Sequence, residues 1–585
     1  MSAPLTWNLR DLLENPVRDL ERLRHELDSQ VRQFEAFRAR LLPDMTSATF
    51  LEALHLADLI ARTTSRLGAY AHLWFSENTK DQQARSFKSL VEELQAELAN
   101  RMLFFDLWWQ ALDDAHAERL LAVAGDYTYH LESVRRFRAH ALTEPEEKIV
   151  NVKSVTGRQA MVGLYEILTS GLSYRVNVRG RVRSLTREDL IRYMRDPQAP
   201  VRKAAYRELF RVYAAHADVL SDMYKTLALD WKQENLGLRK HRSPIGVRNL
   251  SNDIPEEAVD ALLNVCAANA GVFQSYFALK ARLCGIRKMS RYHLYAPVQE
   301  PAKRYTFAKG ARMVLEAYRG FSPTLAEHAG RVIDERHVDA AIRPSKIGGA
   351  YCYSVIPGET PYVLVNFQGD IRDIATLAHE LGHAVHGMLA SDHSIFTFHS
   401  TLPLAETASV FGERILSDAL MAGERDPLVK QSLLVRQLDD VYATVLRQAY
   451  FVRFEREAHR IIGEGGTMDD LCGVYLADLR RQFGRNVAVP DEFRWEWLAI
   501  PHLFASPFYC YAYSFGNLLV LALYGLYKAQ GAAFVPRYLD LLAAGGSRSP
   551  ESLLKDFGVD IRSEAFWQTG FETITDMVRE LEATA

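Results

Sequence analysis

Three histidines and a glutamate fall within eight positions of "TLAHELGHAVHG" (376–387), from His379 to His386. On a helix, His379 and His383 are four apart and share one face, about one turn from each other. Two imidazoles so placed can both reach one metal ion at roughly 2 Å. Glu380 follows the first histidine, where its carboxylate can hold a water beside that ion. This is the H-E-x-x-H arrangement of a zinc hydrolase. The alternative is a coincidence on a surface helix. Against it stand the apolar flanks Ala375, Leu377, Ala378, Leu381, Ala384 and Val385, which bury the helix. Buried imidazoles and a buried carboxylate need partners, and a metal supplies them. Gly382 costs helix stability at that position, so a close approach by another backbone is expected there.

A catalytic zinc takes three protein ligands and keeps one position open. His386 lies three residues beyond His383, but three ligands from consecutive turns of one helix give poor tetrahedral geometry. A supporting role suits it better. The metzincin pattern would need Gly at 386 and His at 389, and the chain has His386 and Leu389. The stretch "STLPLAETASVFGERIL" (400–416) offers Glu406 on an otherwise apolar face, with Glu413 two turns further. The bland reading of Glu406 is a buried ion pair to an arginine. Glu406 is the expected third ligand, and Glu413 the acid that orients a ligating histidine.

The rest of the chain must position these groups. Most of it reads as amphipathic helix, as in "DLERLRHELDSQVRQFEAFRARLL" and "SFKSLVEELQAELANRMLFFDLWWQAL". Thr186-x-x-Asp189 is a capped helix start. Two places read as strand: a hairpin around Gly180 in "LSYRVNVRGRVRSL" (172–185), and two runs broken by "PGETP" in "GGAYCYSVIPGETPYVLVNF" (348–367). With 585 residues the core is ample, and a linear division near residue 190 is expected, 1–190 and 191–585. Residues 497–527 carry no Asp, Glu, Lys or Arg, but prolines, His502 and Asn517 interrupt them. A membrane-spanning helix needs about twenty predominantly apolar residues, so this stretch is expected to be buried interior. Its His502, Tyr509, Tyr511 and Tyr513 are neutral donors suited to an apolar wall.

Composition excludes several classes. The net charge of −3 argues against a nucleic-acid binder. Five scattered cysteines without a CxxC pair exclude a disulfide framework or a cysteine-rich zinc site and fit a reducing compartment. The first residues lack the apolar core of a secretory signal, so a cytoplasmic protein without membrane attachment is expected.

"HELGHAVH" followed by "ETASVFGE" resembles the M3 metallopeptidases, specifically their oligoendopeptidase F branch. Weaker passages agree in order: "TWNLRDL", "DPQAPVRKAAYRELFRVY", "YHLYAPV", "GGAYC" and "LLAAGGSRSPESLLKDFGVDI". One departure is His293 in "YHLY", where the family often has an acid. The resemblance implies a mainly α, two-lobed helical fold enclosing a deep channel, with a small β element beside the H-E-x-x-H helix. It implies one Zn2+ per chain, held by His379, His383 and Glu406, and Glu380 as general base. It favours His502 and a tyrosine of the 509–513 block as transition-state donors, Tyr513 first, with Tyr509 and Tyr511 behind it. The 348–367 run would supply an edge strand, with Gly349, Ala350 and Tyr351 along it, pairing with the substrate backbone. The expected activity is internal cleavage of short peptides. A zinc carboxypeptidase or dipeptidyl carboxypeptidase is the alternative within enzymes, and a silent helical peptide-binding protein the alternative outside them.

Overall fold

Helical periodicity dominates the computed structural model, which describes residues 5–178, 180–298 and 303–584. The chain packs into two compact units, each built from three separate segments. The first comprises Met1–Pro145, Lys303–Ala422 and Leu526–Val559; the second comprises Glu146–Ala302, Gly423–Gly525 and Asp560–Ala585. These packing units cut the chain at other points than the linear division expected near residue 190.

The first unit opens with three long helices, α1 (Pro16–Ala36), α2 (Ser47–Glu77) and α3 (Gln82–Ala111). Each starts on a polar cap: Asn15, Thr46 and Asp81 accept from backbone N–H groups of the first turn. Leu27, Val31 and Phe34 recur at helical spacing on α1 and are buried. Phe34 meets Phe105 with ring centroids 5.5 Å apart. Later in the chain come α4 (Phe307–Phe321), α5 (Ile371–Leu389) and α6 (Thr407–Gly423).

Between α4 and α5 lies a three-stranded sheet of β1 (Val338–Asp339), β2 (Tyr351–Tyr353) and β3 (Tyr362–Leu364). Its order is β1-β3-β2, with β1 parallel and β2 antiparallel to β3. The β2 strand, on the expected run, is therefore an edge. Its approach is braced by fully buried Asp339, whose carboxylate accepts from Arg343 at 2.6 and 2.7 Å and from Lys346 at 2.8 Å.

In the second unit Tyr174–Val178 and Arg181–Leu185 form the expected hairpin, turning at Gly180 with φ +82°. Thr186 caps the next helix by accepting from the Asp189 N–H. The helix α7 (Tyr511–Gln530) carries much of the charge-free stretch. By length and composition, Glu256–Leu283 and Tyr511–Ala543 could each cross a membrane. Yet every residue from Ser514 to Tyr524 is buried within the protein, as expected of a core helix.

Candidate metal centre

Helix α5 is pinned at its start by a reciprocal cap. Asp370 accepts from the Arg372 and Asp373 N–H groups, while Asp373 accepts from those of Gln368 and Gly369 at 2.6 and 2.7 Å. Two turns on, the Tyr318 hydroxyl of α4 donates to the Ala378 carbonyl at 2.5 Å. The same hydroxyl fills the space a β-carbon on Gly412 of α6 would occupy. Gly382 lets the α6 backbone press directly onto α5 at Ala408 and Ser409. That contact brings Glu406, just before α6, against the histidine face.

The result is a triangle of ligand atoms. His379 Nε2 and His383 Nε2 are 3.2 Å apart, and Glu406 Oε2 lies 3.3 Å from the first and 3.5 Å from the second. Tetrahedral bonds of about 2.0–2.1 Å put neighbouring ligand atoms roughly 3.3 Å apart, so these edges match zinc. Two ring nitrogens facing each other at that distance also call for a cation or a proton between them. Two imidazoles and a carboxylate are a fitting donor set. Among the described residues, these three form the one such group of histidine, cysteine and carboxylate ligands.

Neighbours hold the ligands in place. His379 Nδ1 bonds Glu413 Oε1 at 2.5 Å, which turns Nε2 toward the other ligands. The Ser409 hydroxyl donates to Glu406 Oε2 at 2.7 Å. Without metal, burial works against the Glu406 carboxylate, but His379, His383 and Ser409 outweigh it and bring its pKa to about 2. Burial likewise opposes the His379 imidazolium, and the Glu413 and Glu406 carboxylates overcome it, raising that pKa well above the ordinary value. His383 goes the other way, to about 4, through burial and the neighbouring His379.

Glu380 is only 6% exposed. Burial pushes its carboxyl up to about 7, against the pull of His379 and of the Cys352 N–H, which donates to it from β2. It lines a cavity of about 350 Å³ with the three ligand residues, Ala350, Tyr351 and His386. Of the expected substrate strand, then, Ala350 and Tyr351 reach the cavity. Gly349 serves the turn before it, with φ +79° and its carbonyl accepting from Asn366 at 2.8 Å. His386 is on the cavity wall and outside the ligand triangle, and Glu413 is behind His379.

The second unit gathers three of the four expected donors. His502 and Tyr509 stack at 5.8 Å, Tyr509 and Tyr513 meet edge-on at 5.1 Å, and the Tyr513 hydroxyl is 3.4 Å from His502 Nε2. Burial, then Arg447, lowers the His502 pKa and keeps it neutral. The structure sets Tyr511 apart. Its hydroxyl accepts from Asn252 at 2.8 Å in the fully buried interior. Tyr511 and Tyr513, two apart at the start of α7, face opposite ways, and Tyr509 meets Tyr513 from the turn that precedes the helix.

Sequence reasoning missed Tyr318 and the Asp370–Asp373 cap. The cap was findable, since Asp-x-x-Asp before an apolar run is its signal. Tyr318 was not, because its partner lies 60 residues away.

Known proteins share sequence and fold with this chain. A family model described as peptidase family M3 matches residues 192–573, and one described as Oligopeptidase F matches residues 108–174. "Oligopeptidase PepF" of Bacillus subtilis is 24% identical, covering 100% of this chain and 87% of its own length. The plasmid-encoded "Oligoendopeptidase F" of Lactococcus lactis subsp. cremoris is also 24% identical, over 99% of this chain and 97% of its own. In fold, the chain is similar to a putative peptidase from Chlamydophila abortus, with TM-score 0.85, 22% identity and 100% and 99% of the two chains covered. The oligoendopeptidase-F of Enterococcus faecium superposes with TM-score 0.74, 22% identity and 97% and 99% coverage.

Proposed function

The chain belongs to peptidase family M3 and is a metal-dependent peptide hydrolase, and from that premise we propose a zinc endopeptidase that cuts internal bonds of short oligopeptides. The observation that carries the reading is the His379–His383–Glu406 triangle beside a buried Glu380. Bound there, zinc would supply Lewis acidity toward a carbonyl oxygen and toward water.

Glu380 takes the proton of the attacking water and later delivers it to the leaving amine. A carboxyl brought by burial to about 7 is matched to both transfers near neutral pH. Glu413 holds the His379 ring in the tautomer that leaves Nε2 free for the metal. Ala350 and Tyr351, at the sheet edge, present backbone groups to an extended peptide. His502 and Tyr513, with Tyr509 packed against both, are the proposed neutral donors to the developing oxyanion. What supports that assignment is their mutual packing and the suppressed basicity of His502.

A cytoplasmic location is part of the proposal, supported by five cysteines that are all free thiols. The test combines zinc content with mass-spectrometric mapping of cuts in a peptide mixture. One zinc per chain and internal cuts are expected. Trimming confined to the C-terminus would make it a carboxypeptidase, and metal-loaded protein that cuts nothing would end the hydrolase reading.

A further inference from the structure

The second unit buries more positive charge than it pairs. Arg291 has 1% of its side chain exposed, and its Nη2 donates to Glu496 Oε1 at 2.7 Å. Arg447 Nη2 donates to the same oxygen at 3.1 Å, and the Tyr475 hydroxyl donates to the other, Oε2, at 3.1 Å. Among the described residues, no second carboxylate bonds either guanidinium. Two cations therefore share one anion, in a place where an uncompensated charge is costly. Arg291 meets that cost from within. Its guanidinium carbon lies 5.3 and 5.7 Å from the Phe493 and Phe483 ring centroids, and ring faces attract a cation.

Arg447 carries the surplus charge outward. It has 26% of its side chain exposed, while Val445, Leu446 and Ala449 around it are buried. Its guanidinium carbon sits 5.1 Å from the Phe451 ring centroid, which holds the group in one place. Glu496 takes one of its N–H donors, and the rest of the planar fork matches a carboxylate. A single π turn, Tyr442–Leu446, precedes it, a deviation that recurs at functional sites. In that turn the Val445 carbonyl accepts from the Ser514 hydroxyl at 2.8 Å. Ser514 follows Tyr513 in α7, so this bond ties the start of the Arg447 helix to the His502–Tyr513 pair. The Arg447 charge is felt there, where it adds to burial in lowering the His502 pKa.

From this arrangement we infer that Arg447 anchors a carboxylate of the peptide substrate, carried at its C-terminus or on an acidic side chain. The assignment rests on the peptidase reading above, which makes the ligand a peptide and its anions carboxylates. Substituting Arg447 leaves Glu496 bonded to Arg291 and Tyr475, one cation to one anion, so the interior keeps its pairing without it.

The test offers one peptide sequence as C-terminal acid and as amide, and with Glu or Gln at each position in turn. Wild-type protein is expected to favour one carboxylate form by at least about tenfold in kcat/KM, the usual worth of a hydrogen bond to a charged group. A preference for acid over amide assigns the terminus, and one for Glu over Gln assigns the side chain. In Arg447→Gln the ratio falls to about one, and in Arg447→Lys, which keeps the charge without the fork, part of it returns. Equilibrium binding of the same peptides to metal-free wild-type protein needs no variant, and the same preference is expected in it. Preferential binding without any cleavage would support the anchor while sinking the hydrolase reading. Cleavage that treats every carboxylate and its neutral partner alike in wild type, or a ratio unchanged in Arg447→Gln, overturns the anchor.

Discussion

Gly382 and Ser409 touch backbone to backbone: a β-carbon on the glycine would stand 2.6 Å from the Ser409 Cα and 2.7 Å from the Ala408 carbonyl oxygen. The glycine that weakens α5 as a helix is what allows α6 to deliver Glu406. For an isolated helix, Gly→Ala would be worth about 1 kcal/mol of stabilisation. Here the added methyl has only backbone to displace. Gly382→Ala is expected to destabilise the protein by about 1–3 kcal/mol and to weaken metal affinity in step. Thermal unfolding and a metal titration check this. A variant as stable and as metal-avid as wild type would show that the contact does not position Glu406.

Two glutamates and a histidine around the metal site should separate by role. Glu406→Ala removes a ligand and is expected to lose the metal. Glu413→Ala leaves the ligands but frees the His379 ring, costing about ten- to a hundred-fold in affinity. His386→Ala should change affinity least, since His386 lies outside the triangle. Competition titration with a chromophoric chelator ranks the variants. A greatest loss at His386 would move the third ligand there.

Glu380→Gln should keep both metal and fold while turnover falls by about 10²–10⁴, the usual share of general acid–base catalysis. Metal analysis and progress curves on a quenched peptide are the measurements. Near-normal turnover would remove Glu380 from the chemistry.

Tyr513→Phe and His502→Ala are expected to lower kcat with KM little changed, because their hydrogen bonds strengthen in the transition state. Tyr511→Phe is the internal control. It loses the buried bond from Asn252, so it should cost about 1 kcal/mol of stability and leave kcat alone. A kcat loss at Tyr511 equal to that at Tyr513 would dissolve the distinction drawn from helical facing.

Glu455 predicts a pH dependence of stability away from the metal. It is fully buried, accepts from the Phe508 N–H at 2.8 Å, and has no partner for its second oxygen. Burial raises its carboxyl from the ordinary 4.5 to about 8. Between those values the unfolded chain is ionised while the folded one stays protonated. Its contribution is therefore full below about 4.5 and is lost as pH rises toward 8, by up to about 1.4 kcal/mol per pH unit. Glu455→Gln, which cannot ionise, should lose less stability than wild type from pH 5 to 8. Denaturant titrations across that range are the check, and parallel curves for the two proteins would refute it.

Much of the metal site was legible in the sequence because its information is local. Helical spacing alone puts His379, Glu380 and His383 on one turn, and the apolar flanks bury them. The same locality made the hairpin at Gly180, the Thr186 cap and the β-rich run at 348–367 readable, since turn chemistry and alternation act over a few residues.

What lies between distant segments was not legible. Spacing proposed Glu406 and Glu413, but only packing put Glu406 Oε2 within 3.5 Å of both histidines and Glu413 against His379. The helix facing that removes Tyr511 from its neighbours was available in principle, yet it needs a helix start at 511 that the Pro507-containing turn conceals. Tyr318, 60 residues before Ala378, carries no local sign of its bond. The two units each draw on three stretches of chain, because burial depends on which helix faces meet and not on their order. Sequence by itself determined the chemistry these residues could perform; tertiary packing decided which of them share a site, since a backbone approach such as that at Gly382 is set by both helices at once.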